Sequence, residues 1–276
     1  MNHKYLILCF LLFPIFVFSQ HASNCYYLYP TPNEINEIIK KEDLAFNESL
    51  LNPENKVSNY TNDQSISLNL GIYLADMAYS AFFGQIHKFK SYLGVVKQLT
   101  NHLLISPETK EELISNFIKH SNDFDSIYQF THDYYYKMIN ELEQNYSASA
   151  MSLIVAGAYI ECLYIALNLT KYEEDSSLIQ IVAKQKFAFN NLINCCEFKS
   201  RNKEITSILN DLLEIQDIYN NVSIQKVEIL RVERTNDEKI TLRGGPILKM
   251  KRKEFYKLKK TISKIRKKIV ETNYSI

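Results

Sequence analysis

Residues 65–84, SISLNLGIYLADMAYSAFFG, carry apolar side chains at three- and four-residue spacing, with several small residues among them. This spacing is typical of an α-helix that packs against other helices. The pattern continues with short interruptions as far as Asn220 and predicts helices at 65–84, 87–104, 108–120, 124–144, 147–170, 175–198 and 201–219. Because the connections are short, consecutive helices are expected to be antiparallel neighbours.

Beyond Asn220 the pattern changes to short β-branched runs. Residues 227–232 and 239–242 flank a plausible turn at 235–237, which predicts a β-hairpin at 224–243. The run Gly244-Gly245-Pro246 is expected to release the chain into a last helix at 247–271. Six glycines and six prolines in 276 residues are few for a β-sandwich. We therefore predict an all-α fold, an antiparallel array of about eight helices with one small hairpin near the C-terminus.

The N-terminus predicts export. A short positive start is followed by an apolar run from Tyr5 to Phe18 and by Ser19, where a signal peptidase can cut. A run of about 14 residues is short for a membrane span, which needs about 20, although an uncleaved anchor is the alternative. We predict a signal peptide at 1–19 and a periplasmic or outer-membrane-associated protein.

The mature chain is divided into an N-terminal extension at 20–64 and a helical domain at 65–276 that includes the hairpin and the last helix. Thr31 can cap a helix, Pro32 fits the first helical position and Glu34 completes a capping box. This pattern predicts one short helix that ends near Lys41. Residues 47–63 are polar and turn-like and are expected to form an ordered loop.

Five cysteines leave the redox state open. Cys25 is a candidate for lipidation, which would anchor the protein to a membrane, although Asn24 fits a lipoprotein cleavage site poorly. Cys162, Cys195 and Cys196 are interpreted as buried thiols, with a bridge from Cys162 to one of the adjacent pair as the alternative in an oxidising compartment. Their spacing fits neither a zinc site nor a redox Cys-x-x-Cys motif.

Two stretches resemble each other: GIYLADMAYSA at 71–81 and GAYIECLYIA at 157–166. Each has a glycine, a tyrosine two residues later, an acid, and a second tyrosine three residues after the acid, on the same helix face. A buried acid needs a hydrogen-bond partner, and a structural acid–tyrosine pair is the first interpretation. The second is a central pocket with two carboxylates for binding or acid–base chemistry, made of Tyr73, Asp76, Tyr79, Tyr159, Glu161 and Tyr164.

The sequence lacks the common motifs of metal, nucleotide and hydrolase sites. The chain has no Glu-x-x-His pair of a di-metal bundle, no His-Glu-x-x-His, no Walker motif, no dinucleotide glycine motif and no Gly-x-Ser-x-Gly. We therefore expect no metal and no cofactor.

The last helix is strongly basic. Residues 247–270 hold eleven Lys or Arg and one acid, which leaves a mildly acidic body because the whole chain has a net charge of +1. Phe255, Leu258, Ile262, Ile265 and Ile269 form one apolar stripe that is expected to dock on the body. The lysines on the other faces predict an exposed basic surface, a candidate for an anionic membrane surface but not for nucleic acid: Lys253, Lys257, Lys260, Lys264 and Lys267.

Several of these motifs together resemble an uncharacterised family of exported helical proteins, often lipoproteins, of Bacteroidota. The stretches that carry the resemblance are TPNE at 31–34, LNP at 51–53, LNLGIY at 68–73 with Asp76, and AGAYIE at 156–161 with YIA at 164–166. The resemblance implies export and a helical fold, and it implies no activity.

The sequence thus favours a non-catalytic binding or scaffold protein of the envelope with an unknown partner or ligand. The alternative is a carboxylate-dependent hydrolase or lyase that uses Asp76 and Glu161.

Overall fold

The computed structural model describes residues 45–120, 124–145, 147–174, 176–198, 203–234 and 240–272. Within these ranges the fold is all-α with one two-stranded antiparallel hairpin, which confirms the predicted class. The signal peptide, the short helix near 31–41 and the candidate lipidation site Cys25 lie outside the described residues.

The helices follow the predicted order closely. Two short 3-10 helices precede them, at Glu48–Leu50 and Glu54–Asn59, in the segment expected to be an ordered loop. The eight α-helices of the described ranges are α1 Asp63–Phe82, α2 Ile86–Thr100, α3 Pro107–His120, α4 Phe124–Gln144, α5 Ala148–Leu169, α6 Ser177–Phe198, α7 Lys203–Asn220 and α8 Arg252–Val270.

Helices α1 and α5 form the centre of the fold. Asn62 is the N-cap of α1. Its side-chain oxygen accepts a hydrogen bond from the Ser65 backbone N–H, and the Ser65 hydroxyl accepts one from the Asn62 backbone N–H. This reciprocal cap satisfies backbone groups at the helix start. Every residue from Gln64 to Ala81 is buried. A helix buried on all its faces belongs in the middle of a core.

Helix α5 is apolar enough to resemble a membrane span. Its stretch Ser149–Leu169 has 21 residues and a mean hydropathy of 1.9, and it is the one described helix that could cross a bilayer by length and composition. The structure buries 89% of its most apolar window against the other helices. Core helices of globular proteins meet the same criteria, so this apolar character is explained by packing.

The hairpin is longer than predicted, and the last helix begins later. Strand β1 spans Ser223–Arg234 and β2 spans Ile240–Lys249, so the predicted start of the helix at 247 is wrong. Gly244 and Gly245 do not end the hairpin but lie within β2, with φ of 101° and 91°. They lie opposite a β-bulge between Glu228 and Arg231. Glycine adopts positive φ without steric cost, so the strand continues past this irregularity.

Helix α8 docks as the sequence predicts. Its apolar stripe is buried, with Phe255, Leu258 and Ile262 wholly inaccessible to solvent. The five lysines predicted for its outer surface, from Lys253 to Lys267, are all exposed.

The cysteines depart from the favoured prediction. Cys162 and Cys196 are buried thiols, so neither forms the Cys162 bridge considered from the sequence. Cys195 is disulfide-bonded.

Candidate functional site

The two similar stretches meet where α1 crosses α5. Gly71 lies against the backbone of α5, where an added methyl group would overlap the Ile154 carbonyl oxygen and stand 2.6 Å from the Ala158 nitrogen. Gly157 lies in the same way against the Leu68 carbonyl of α1. Each glycine is thus required by the close approach of the opposite backbone. The crossing brings the acid of each stretch to the same place in the core.

Asp76 and Glu161 form a carboxyl pair in this core. Both side chains are completely buried, and Asp76 lies within hydrogen-bonding reach of Glu161. Burial, and then the negative charge of Glu161, raise the pKa of Asp76 well above its usual value. Two like charges at this distance in a dry interior oppose each other's ionisation, so Asp76 holds its proton to a higher pH than an exposed carboxyl does.

Arg266 of α8 neutralises the pair. Its Nε donates to Glu161 Oε2 at 2.7 Å and its Nη2 donates to Glu161 Oε1 at 2.9 Å. The guanidinium also lies over the ring of Tyr164, with Cζ 4.3 Å from the ring centroid. Burial lowers the pKa of Arg266, but the charge and hydrogen bonding of Glu161, together with smaller contributions from Asp76 and Tyr164, outweigh burial, and the pKa of Arg266 is raised. The result is a compact ion pair with a cation–π contact.

The same cluster holds the segment before α1. The backbone N–H of Asn52 donates to Asp76 Oδ2 at 3.0 Å, and Arg266 Nη2 donates to the Leu50 carbonyl at 2.9 Å. Tyr92 of α2 donates to the Asn52 carbonyl at 3.1 Å. Four separate pieces of chain, namely the segment around residue 51, α1, α5 and α8, therefore converge on one charged group of side chains.

A proton on Asp76 would complete this network. Among the described residues, Asp76 Oδ1 is buried and has no hydrogen-bond partner. Protonated, Asp76 donates to Glu161 while its Oδ2 still accepts from Asn52. The cluster then consists of a neutral acid, one carboxylate and one guanidinium. We call Asp76, Glu161 and Arg266 the buried triad.

The tyrosines do not line a pocket around the acids as the second interpretation expected. Tyr73 donates to the Pro53 carbonyl at 2.8 Å, and the hydroxyl of Tyr79 accepts from the Asn47 N–H at 3.0 Å. Tyr159 donates to the Gln185 carbonyl at 3.3 Å. Tyr164 faces Arg266. The first interpretation is also wrong about the partner, because the acids pair with a guanidinium and a backbone N–H.

This geometry suits positioning better than chemistry at a substrate. Neither carboxyl reaches solvent, and Glu161 already accepts two bonds from Arg266. Within the described ranges, no group of three or more His, Cys, Asp or Glu side chains is placed to hold a metal ion.

Sequence reasoning missed Arg266 and Asn52. Arg266 was counted among the basic residues of the last helix, although it lies four residues after Ile262 and three before Ile269 and so borders the buried stripe. An arginine beside an apolar stripe, in a helix whose cations are mostly lysine, was the available signal. Asn52 acts through its backbone N–H, which has no signature in sequence.

A second candidate site is on the surface. The start of α8 presents exposed cations that we call the basic surface: Lys251, Arg252, Lys253, Lys257 and Lys260. No acid is recorded within ion-pair distance of these five among the described residues, whereas Lys264 and Lys268 of the same helix pair with Glu214 and Asp211. Arg252 lies over the exposed ring of Tyr256 at 5.7 Å.

The hairpin beside the basic surface exposes aliphatic side chains. We call Ile224, Val227 and Ile229 the hairpin aliphatics; they are 55%, 69% and 80% exposed. All residues from Ser223 to Ile229 are exposed, so neither face of this part of β1 is covered. Ile224 pairs with Leu248, four residues before Arg252. The hairpin aliphatics therefore extend outward from the start of the basic surface.

Comparisons with known proteins give no relative. No family model matches the chain, and no curated protein or solved structure is significantly similar to it. The resemblance to an exported family of Bacteroidota thus stays a prediction.

Proposed function

We propose that this protein is a non-catalytic binding protein of the bacterial cell envelope, which binds its ligand through the basic surface and not at the buried triad. The observation that carries the proposal is the contrast between the two sites. The acids that could do chemistry are sealed in the core and neutralised by Arg266. The cations at the start of α8 are exposed and have no recorded acidic partner in the described part of the chain.

The location rests on the signal-peptide pattern at 1–19 and on the family resemblance. Both favour an exported protein that is periplasmic or associated with the outer membrane. Whether a lipid on Cys25 adds an anchor is a separate question, and the basic surface would supply an attachment of its own.

The alternative, a hydrolase or lyase that uses Asp76 and Glu161, has less support. A general acid or base must come within hydrogen-bond distance of the substrate. Both side chains have zero exposed area in the described structure, and an opening to them would have to break the pair with Arg266. Glu161 pairs with an arginine and Asp76 with a backbone N–H, as expected of buried carboxyls whose role is to hold separate segments of a fold together.

The test is cell fractionation of the full chain, expressed in a bacterium with a two-membrane envelope. We expect the protein in the envelope fraction and its release by about 0.5 M salt, which shortens the Debye length to about 4 Å. Charge reversal in K253E/K257E/K260E should shift it to the soluble fraction. The control K97E/K119E/K203E changes net charge equally at exposed lysines of α2, α3 and α7. If both triple variants fractionate like the unsubstituted protein, the basic surface is not the binding site.

A further inference from the structure

The basic surface and the hairpin aliphatics together have the chemistry of a membrane contact. We propose that they bind the surface of an anionic phospholipid bilayer, with the lysines at the headgroups and the aliphatic side chains in the boundary region below them. This inference rests on the proposed function and names the ligand of that same site.

Positive charge is concentrated on the first turns of α8. Residues 251–260 hold six Lys or Arg and one acid, Glu254. Five of the six cations are exposed. On the second half of α8 the pattern is different, because Lys264 and Lys268 are paired with acids of α7. The uncompensated charge is therefore concentrated at the start of the helix, beside the hairpin, and it complements an anionic surface.

Large apolar side chains are exposed next to this charge. The structure records six exposed large hydrophobic residues among those it describes, and four of them belong to β1 or the first turns of α8: Ile224, Val227, Ile229 and Tyr256. A two-stranded hairpin is marginally stable alone in water. This hairpin is held at its base, where Gln180 bonds both the N–H and the carbonyl of Leu248. Farther along β1, nothing in the described ranges covers Val227 or Ile229.

A bilayer matches both the charge and the apolar exposure, whereas a soluble polyanion matches only the charge. An anionic polysaccharide would satisfy the lysines but would leave the hairpin aliphatics in water. The interface of a bilayer offers anionic headgroups and an apolar phase within a few ångströms of each other. Tyr256, half exposed on the same turn as Arg252, has the amphipathic ring that prefers this interface. The combination therefore favours lipid over a polymer.

The experiment is cosedimentation of the mature full chain with vesicles of phosphatidylcholine, with and without phosphatidylglycerol. We expect binding only when phosphatidylglycerol is present, and at least tenfold weaker binding of K253E/K257E/K260E. V227S/I229S should keep the salt-sensitive part of the binding but bind at least threefold more weakly. Its control is L104S, because Leu104 is 69% exposed at a distant place in the sequence. These positions are exposed, so all the variants should fold, as circular dichroism can verify.

Equal binding to neutral and anionic vesicles would overturn the inference, as would normal binding of the basic-surface variant. Binding that is unaffected by V227S/I229S would mean that the contact is purely electrostatic and would overturn the part assigned to the hairpin. If vesicles do not bind at all but the envelope retention in cells remains sensitive to salt and to K253E/K257E/K260E, the lipid inference fails and the proposed function stands with another polyanion as ligand. If retention fails as well, both fail.

Discussion

Glu161 and Arg266, 105 residues apart in sequence, form a two-hydrogen-bond ion pair that joins α5 to α8 in the core. The same guanidinium bonds the Leu50 carbonyl, and the neighbouring Asp76 bonds the Asn52 N–H. The pair therefore connects the central helices, the last helix and the segment before α1.

The two acids should respond differently to the same kind of substitution. E161Q removes the carboxylate charge that pairs with the largely buried Arg266, and breaking such a pair costs about 3–5 kcal/mol of unfolding free energy. D76N should stay within about 1 kcal/mol, because an amide can accept from Asn52 and donate to Glu161 as the protonated acid does. Urea denaturation of the two variants measures the difference. An equal loss of stability in both would show that Asp76 is charged in the folded protein.

Stability should also depend on pH through Asp76. Its folded pKa is raised by burial and by Glu161, whereas its unfolded pKa is about 3.9. Between its unfolded and folded pKa values, Asp76 is protonated in the folded state but not in the unfolded state. The free energy of unfolding therefore falls as the pH rises through this range and levels off above the folded pKa.

D76N lacks this titration. The stability of D76N relative to the unsubstituted protein should therefore increase between about pH 4 and neutral pH. Denaturation of both proteins at a series of pH values measures this difference in stability. The other titrating groups are the same in both proteins, so their contributions cancel. Parallel stability curves across that range would contradict a raised pKa.

The helix crossing should not tolerate a single methyl group. G71A and G157A place a Cβ against the backbone of the opposite helix, at Ile154 and Leu68, where no flexible side chain can move away. We expect losses of about 3 kcal/mol or more in each. G94A is the matched control, because Gly94 of α2 has open space around it. It should be neutral or stabilising by up to about 1 kcal/mol. Thermal melts of the three variants decide whether close backbone packing, rather than glycine content in general, is what matters.

Docking of α8 should depend on its stripe and not on its lysines. I262D puts a charge at a position with no exposed area and should destabilise the domain by about 4 kcal/mol or more. K260E changes an exposed side chain and should stay within about 0.5 kcal/mol. The comparison of melting temperatures tests both. A normal melting temperature for I262D would mean that the last helix is not part of the cooperative unit.

The sequence by itself determined the helical class, the order of the elements and the buried face of α8. Each of these follows from periodicity within one segment, because an amphipathic stripe such as Phe255 to Ile269 reports its own buried face wherever the helix docks. The similarity of the stretches around Gly71 and Gly157 also pointed to two central helices. It placed Asp76 and Glu161 in the core, although not their partners.

The tertiary structure alone decided what the acids do. Arg266 is 105 residues from Glu161 and 216 from Leu50, and Asn52 contributes a backbone N–H that every residue but proline possesses. Such contacts leave no periodic signal, because they depend on how separate segments pack and not on local spacing. The same holds for the basic surface: the sequence shows where lysines are, but only the packed fold shows which of them meet an acid of α7 and which stay exposed beside the hairpin.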